Sequence, residues 1–261
     1  MDRRIGFIGM GNMAKAIAGG IIGSGAAERT QVSAYDPLQS KLQESASQLG
    51  FRPCAEPAQL AAESDILVMA CKPYQIEGAL SELRGLLPGK ALLSIAAGWD
   101  FHRYQPLLEP GVRFQAIMPN TPAMVGEGVF LFEEENSLEE EERREIMNLF
   151  SCIGFVRELP GKLMGVAGAV TGCGPAFADL FIEAMADAAV KYGLPRELSY
   201  ELVSRMLLGA AKLQLETGEH PAALKDAVCS PGGTTIRGIA ALEHAGFRAA
   251  CMDAVDAVMG G

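Results

Sequence analysis

The chain has 261 residues, of which 49% are hydrophobic, and its formal net charge at pH 7 is −10. This length allows one large domain or two moderate domains with a real core. The acidic balance leaves no basic patch for a phosphate backbone, which argues against nucleic-acid binding. We see no apolar run of the about 18 to 20 residues that span a bilayer. We therefore expect a cytoplasmic protein without membrane contact.

The first 160 residues alternate short apolar, β-rich runs with helical patterns. This alternation is typical of βαβ units and predicts an α/β domain with a mostly parallel sheet. The predicted strands are Arg4–Ile8, Gln31–Tyr35, Asp65–Ala70, Lys90–Ile95, Val112–Met118 and Gly128–Phe132. After them, Ser137 and Glu140 have the spacing of a capping box, which predicts a helix that ends near Ser151.

A glycine-rich segment follows the first predicted strand and fits the pattern G-x-G-x-x-G/A. In this pattern Gly9 makes the tight turn, Gly11 lets the backbone approach a pyrophosphate, and Ala14 permits close packing of the next helix on the strand. The segment predicts a Rossmann-type dinucleotide site. Its cofactor-contacting residues would be Gly9, Gly11, Asn12, Met13 and Ala14.

Asp36 ends the second predicted strand, 22 residues after Ala14. An acid at this point accepts hydrogen bonds from an adenosine ribose and repels a 2′-phosphate, which favours NADH. NADPH stays open, since Arg29 or Lys41 would approach a phosphate if the loop were arranged differently. The structural alternative is that Asp36 and Pro37 form a plain turn and helix cap.

Two further segments lie at the carboxyl ends of predicted parallel strands, where ligands bind in open sheets. Ala70-Cys-Lys-Pro-Tyr74 follows one strand, and Met118-Pro-Asn-Thr-Pro122 follows another. From the residues alone, Lys72 is either a ligand-binding group or a surface lysine. Asn120 is either a ligand-binding group or part of a turn.

From about residue 161 the strand pattern stops and only helical patterns remain. We therefore predict a dinucleotide-binding domain over 1–160 and an all-helical domain over 161–261. One predicted helix carries apolar side chains around much of its circumference from Leu202 to Leu215. A helix so apolar is normally buried, and a segment of about 100 residues offers little interior for it. This predicts a subunit interface.

Ser230-Pro-Gly-Gly-Thr-Thr235 lies between two helical patterns. A loop of this composition that opens into a helix at Thr234 or Thr235 exposes backbone N–H groups at the positive end of the helix dipole. It predicts a site for a small carboxylate. The alternative is an ordinary turn followed by a helix cap.

The whole chain resembles the pyrroline-5-carboxylate reductases. The resemblance rests on three segments, which are Gly6-Phe-Ile-Gly-Met-Gly-Asn-Met-Ala14, Thr171-Gly-Cys-Gly-Pro-Ala-Phe177, and the Ser230–Thr235 loop with Gly238, Leu242 and Glu243 after it. It implies reduction of the cyclic imine 1-pyrroline-5-carboxylate to L-proline by NADH or NADPH, the last step of proline biosynthesis, with no metal. It also implies a homodimer, which in this family often assembles further into a ring.

The resemblance implies roles for individual residues as well. On the cofactor side it implicates Ala70, Lys72, Pro73 and Asn120, with Lys72 and Pro73 near the nicotinamide ribose and Asn120 near the nicotinamide. On the substrate side, Ser230 and the N–H groups of Gly232, Gly233 and Thr234 would hold the carboxylate, and the Thr235 hydroxyl would lie near the ring nitrogen. Threonine is a weak acid, so we expect Thr235 to orient the imine more than to drive proton transfer.

Two other functions compete with this interpretation. β-Hydroxyacid dehydrogenases share the glycine-rich start, but they need a lysine, usually with an asparagine behind it, and Gly172–Glu183 contains neither. A non-catalytic nicotinamide-binding dimer would have no use for the Ser230–Thr235 loop. A six-membered imine differs from a five-membered one by one methylene. A pocket discriminates one methylene by only about 1 to 3 kcal/mol of binding free energy, so the residues do not decide the ring size.

Overall fold

A computed structural model describes residues 3–260. The chain forms two compact units that divide between Pro175 and Ala176. The first unit holds the sheet and the second is helical, which confirms the predicted class of a Rossmann-type domain with a C-terminal helical region. The predicted domain limits of 1–160 and 161–261 stay a prediction.

One sheet of eight strands spans the first unit within residues 3–260. The strands are β1 (Ile5–Ile8), β2 (Val32–Tyr35), β3 (Arg52–Pro53), β4 (Ile66–Met69), β5 (Ala91–Ser94), β6 (Arg113–Met118), β7 (Gly128–Asn136) and β8 (Gly154–Leu159). Their spatial order is β3-β2-β1-β4-β5-β6-β7-β8. The first six of this order are parallel, β7 is antiparallel to β6, and β8 is parallel to β7. All six predicted strands occur; β3 and β8 were not predicted.

Twelve α-helices occur among the described residues. They are α1 (Asn12–Gly23), α2 (Gln39–Leu49), α3 (Pro57–Glu63), α4 (Ile76–Glu82), α5 (Phe101–Tyr104), α6 (Glu140–Ser151), α7 (Gly161–Gly168), α8 (Gly174–Lys191), α9 (Arg196–Thr217), α10 (Pro221–Ala227), α11 (Thr234–His244) and α12 (Phe247–Met259). A π-helical turn, Ala169–Cys173, joins α7 to α8.

The predicted capping box at the start of α6 was wrong. The helix begins at Glu140 with Glu139 at the N-cap position. The Ser137 hydroxyl instead accepts the backbone N–H of Phe114 at 2.8 Å. A serine side chain can satisfy any nearby orphan donor, and here the donor is on the neighbouring strand β6.

The core lies on both faces of the sheet, as the apolar run at β4 predicts. Alternate residues of β4 belong to different apolar clusters: Ile66 and Val68 pack with α1, while Leu67 and Met69 pack against the opposite face. All four β4 residues are buried. A parallel strand buried on both faces is the reason for a continuous apolar run.

One helical stretch of the described residues, Gly161–Lys191, is long and apolar enough to cross a membrane, judged by length and composition only. This stretch differs from the expectation of no such run, because its mean hydropathy reaches 1.4. Core helices of soluble proteins meet the same criteria, so this is weak evidence for a membrane span.

The second unit leaves much apolar surface exposed. On α9, Leu202, Met206 and Leu213 follow helical spacing and are each about half exposed (49%, 46% and 52%). No described residue of α11 or α12 is buried. Apolar surface on this scale indicates that another polypeptide surface covers it.

Candidate cofactor and substrate sites

The glycine-rich segment forms a tight turn between β1 and α1. Gly9 has φ +92°, and a Cβ there would lie 2.9 Å from the backbone N of Cys71, so no side chain fits. Gly11 occupies the N-cap position of α1 without a side-chain cap, and a Cβ there would meet open space. The first intrahelical bond of α1 runs from Lys15 N–H to the Gly11 carbonyl at 3.0 Å.

This geometry fits a dinucleotide. The N–H groups of Asn12, Met13 and Ala14 precede that first bond, so they are the orphan donors of a helix N-terminus. Such donors, with the positive end of the helix dipole, bind phosphate. Ala14 is 1% exposed against the sheet, which matches the close packing required at this position.

Asp36 holds this turn in place. One of its carboxylate oxygens accepts the Met10 N–H and the other accepts the Leu38 N–H, each at 2.9 Å. The turn that the sequence analysis gives as the alternative role of Asp36 is therefore present, since the carboxylate accepts the Leu38 N–H. It does not exclude ribose recognition, because each carboxylate oxygen can accept a second hydrogen bond. The ribose role of Asp36 stays a prediction.

The two basic residues proposed for a 2′-phosphate lie at different edges of the sheet. Arg29 precedes β2, and its side chain packs over Gly50, just before β3. Asp36 follows the other end of β2, so the approach of Arg29 to a phosphate beside Asp36 was wrong. Lys41 is exposed near the start of α2, on the same side as Asp36.

The loop after β4 continues the same edge of the sheet. Ala70 N–H donates to the Ile8 carbonyl at 2.8 Å, which places this loop directly beside the glycine turn. Lys72 is exposed and precedes a short 3₁₀ turn, Pro73–Gln75. Both Lys72 and Pro73 are thus accessible at the predicted cofactor edge.

Asn120 lies after β6 and is 5% exposed. Its Oδ1 accepts the Val129 N–H at 2.8 Å, and its Nδ2 donates to the Thr171 carbonyl at 3.0 Å. The side chain thus joins the loop after β6 to β7 and to the π-helical turn. Thr171 is the first residue of the segment Thr171–Phe177, so Asn120 connects the loop after β6 to one of the three segments noted in the sequence analysis.

One segment at this edge was overlooked in the sequence. Ala96–Asp100 follows β5, which lies between β4 and β6, so the segment lies between the two predicted cofactor loops. Ala97 and Gly98 are exposed, whereas Trp99 is 4% exposed. Its position directly after the predicted strand Lys90–Ile95 would have identified it, since the other two loops were identified by the same criterion.

The Ser230–Thr235 loop belongs to the second unit and forms a turn before α11. Gly232 has φ +67°, and the Gly233 N–H donates to the Ser230 carbonyl at 3.0 Å. Proline followed by a glycine of positive φ, closed by this bond, is the pattern of a type II turn. The turn engages the Gly233 N–H, and the assignment of this donor to a substrate carboxylate stays a prediction.

The helix after this turn begins at Thr234, as predicted, with Gly233 at the N-cap position and no side-chain cap. Thr235 is the second helical residue and is exposed. It is therefore not the helix cap. The N–H groups of Thr234 and Thr235 are first-turn donors of an eleven-residue helix.

Within residues 3–260, no group of three or more His, Cys, Asp or Glu side chains is arranged to hold a metal ion. The six cysteines are all free, and two of them, Cys173 and Cys229, lie in or beside the motif segments.

Known proteins resemble the chain along its whole length. A family model described as pyrroline-5-carboxylate reductase dimerisation matches residues 161–260, and one described as NADP oxidoreductase, coenzyme F420-dependent, matches residues 4–98. The pyrroline-5-carboxylate reductase of Treponema pallidum is 39% identical over 98% of both chains. That of Escherichia coli is 40% identical over 99% of this chain and 97% of its own.

A solved structure agrees with these relatives. The pyrroline carboxylate reductase of Plasmodium falciparum, crystallised with NADP bound, has a TM-score of 0.90 and 32% identity over 98% of this chain and 95% of its own. Such similarity of sequence and of fold, extending through both units, shows that the chain belongs to the pyrroline-5-carboxylate reductase family.

Proposed function

We propose that this protein reduces 1-pyrroline-5-carboxylate to L-proline with NADPH or NADH, as the last step of proline biosynthesis in the cytoplasm. The observation that carries the proposal is the uncapped first turn of α1, held by Asp36 at the carboxyl edge of the sheet. This is a dinucleotide site in a chain whose full-length relatives are named for this reaction.

On the cofactor side, the N–H groups of Asn12, Met13 and Ala14 bind the pyrophosphate. Ala70, Lys72 and Pro73 border the nicotinamide ribose, and Asn120 holds its loop at the nicotinamide end. The bound dihydronicotinamide supplies a hydride. The loops around it keep its reactive face oriented, which is the chief contribution that positioning residues make to such a reaction.

On the substrate side, Ser230 and the N–H groups of Gly232, Gly233 and Thr234 bind the imine carboxylate. The Thr235 hydroxyl hydrogen-bonds the ring nitrogen. Reduction adds a hydride to the imine carbon and a proton to the nitrogen; a cyclic imine is basic enough to be partly protonated from water. Thr235 therefore acts by orientation and not as a strong acid.

Steady-state kinetics test this proposal. We expect oxidation of NADPH or NADH to depend on 1-pyrroline-5-carboxylate, with no comparable reduction of NADP⁺ or NAD⁺ by 3-hydroxy acids. The reverse preference would support a β-hydroxyacid dehydrogenase. Binding of the cofactor without turnover of either substrate would support a non-catalytic nicotinamide-binding protein.

The cofactor preference depends on Asp36 in this account. Asp36→Ser removes both the ribose acceptor and the repulsion of a 2′-phosphate, so we expect kcat/KM to shift toward NADPH relative to NADH by about tenfold. Because Asp36 also accepts the Met10 N–H, both absolute values should fall.

Asp36→Asn is the matched control, since its amide oxygen retains one acceptor and its charge is removed. We expect an intermediate cofactor ratio for this variant. An unchanged NADPH-to-NADH ratio in both variants would remove Asp36 from the adenosine pocket.

We further propose that the helical unit forms a homodimer, and that dimers assemble into a ring. The match of residues 161–260 to a dimerisation model supports the dimer. The half-exposed apolar side chains of α9 supply the surface that a second copy would cover. A dimer interface would also account for Gly161–Lys191, which is apolar although only 11% of its apolar window is buried.

A further inference from the structure

Glu133 is a buried carboxyl group that the proposed reaction does not use. It lies on β7 and is 1% exposed. Its Oε2 accepts the Phe101 N–H at 2.8 Å. Its Oε1 faces Gly161, the first residue of α7, where a Cβ would lie 2.7 Å from that oxygen.

No basic side chain forms an ion pair with Glu133 among residues 3–260. The Arg143 guanidinium donates to the backbone carbonyl of Glu133, at 3.3 Å, and not to its carboxylate. His102 is paired with Glu135. Burial raises the pKa of Glu133, and the nearby carboxylates of Asp100 and Glu135 raise it further. A buried carboxylate without a counter-charge is costly, so the hydrogen bond to Phe101 has to offset that cost.

Phe101 directly follows the segment Ala96–Asp100, which lies between the two predicted cofactor loops. Its N–H therefore fixes one end of the segment. At the other end of the segment, the Ala96 N–H donates to the Ser94 hydroxyl at 3.3 Å. Arg103 supports the middle, with Nη1 bonded to the Gly98 carbonyl at 3.1 Å and its guanidinium 4.0 Å from the centre of the Trp99 ring. Hydrogen bonds thus hold both ends of the segment that carries the exposed residues Ala97 and Gly98.

We propose that Glu133 is a positioning residue that sets the segment Ala96–Asp100 at the nicotinamide end of the cofactor site. This inference rests on the proposed function for its kinetic consequence. Its structural part does not: the Glu133 carboxyl group on β7 accepts the N–H of Phe101, which directly follows the segment, and lies beside Gly161, the first residue of α7. Glu133 and Trp99 also line one small cavity with Met118 and Gly161.

The chain contains a reporter for this segment. Trp99 is its only tryptophan, and it is 4% exposed. Its emission therefore reports the packing of the segment, and energy transfer from Trp99 to bound NADPH reports the distance to the nicotinamide. Neither measurement needs turnover of an imine.

The test compares Glu133→Ala with Glu133→Gln, which keeps an acceptor for the Phe101 N–H. For Glu133→Ala we expect a red-shifted Trp99 emission, altered energy transfer to NADPH, and a fall of about tenfold in kcat/KM for NADPH. Affinity for ADP-ribose, which lacks the nicotinamide, should be unchanged. Glu133→Gln should restore all three values to near those of the wild type.

Glu134→Ala is the matched control, because it removes an exposed carboxylate from the neighbouring position of the same strand and should change none of these values. Normal emission and kinetics in Glu133→Ala would overturn the proposal. So would failure of Glu133→Gln to restore them, or an equal loss of ADP-ribose affinity, which would indicate general destabilisation. If the wild type lacks imine-dependent activity, the proposed function fails, and emission and energy transfer still decide the placement of the segment.

Discussion

Thr235→Val should lower kcat/KM for the imine about ten- to hundredfold, which corresponds to about 1.4 to 2.7 kcal/mol of transition-state stabilisation. The substitution preserves the shape of the side chain and removes the hydroxyl that we place at the ring nitrogen. The melting temperature should barely move, because Gly233 occupies the N-cap position and Thr235 is an exposed second residue of α11. Steady-state kinetics and thermal unfolding of the same preparation check both expectations.

Thr235→Ser is the matched control for this experiment. It keeps the hydroxyl and loses only a methyl group, so it should retain most of the activity. Affinity for NADPH should be the same in all three proteins. Loss of stability with normal turnover in Thr235→Val would show that the hydroxyl is structural and that the assignment to substrate is wrong.

Leu213→Glu should convert the dimer to monomer or aggregate. Leu213 is 52% exposed within one chain, so the substitution does not disrupt the core of its own subunit. At the proposed interface it would bury an unpaired carboxylate, and we expect dimerisation to weaken about a hundredfold or more. Sedimentation velocity at micromolar protein measures the change directly.

Arg205→Glu places the same carboxylate on the charged face of the same helix, where Arg205 pairs with Glu201. This variant should remain dimeric, because the lost pair and the new like-charge contact cost only about 0.2 to 0.5 kcal/mol each. A wild-type protein that sediments as a monomer at micromolar concentration would contradict the proposed interface.

Periodicity and local motifs were enough to predict most of the first unit. The β4 run is apolar because both of its faces are buried, and the glycine turn is recognisable because Gly9 permits neither a side chain nor an ordinary φ. The strand β3 was missed because two residues are too few for a periodic signal. The strand β8 was missed because it carries exposed and charged residues at the edge of the sheet.

The sequence predicts where residues of the candidate site lie in the fold but not which groups they contact. The sequence places Asp36 and Asn120 at strand ends, which the structure confirms. It does not reveal that Asp36 also holds the Met10 N–H or that Asn120 joins the π-helical turn, because these contacts link residues 26 and 51 positions apart. Glu133 belongs to the acidic run Glu133-Glu134-Glu135. The composition of such a run does not reveal that one of its members is buried.

The central claim is that this chain reduces a cyclic imine acid with hydride from a nicotinamide. The most direct measurement incubates the purified protein with NADPH and 1-pyrroline-5-carboxylate and determines both cofactor oxidised and product formed by chiral chromatography. The account predicts one L-proline for each NADPH oxidised. Binding of NADPH without formation of proline, or oxidation of NADPH that does not depend on the imine, would contradict it.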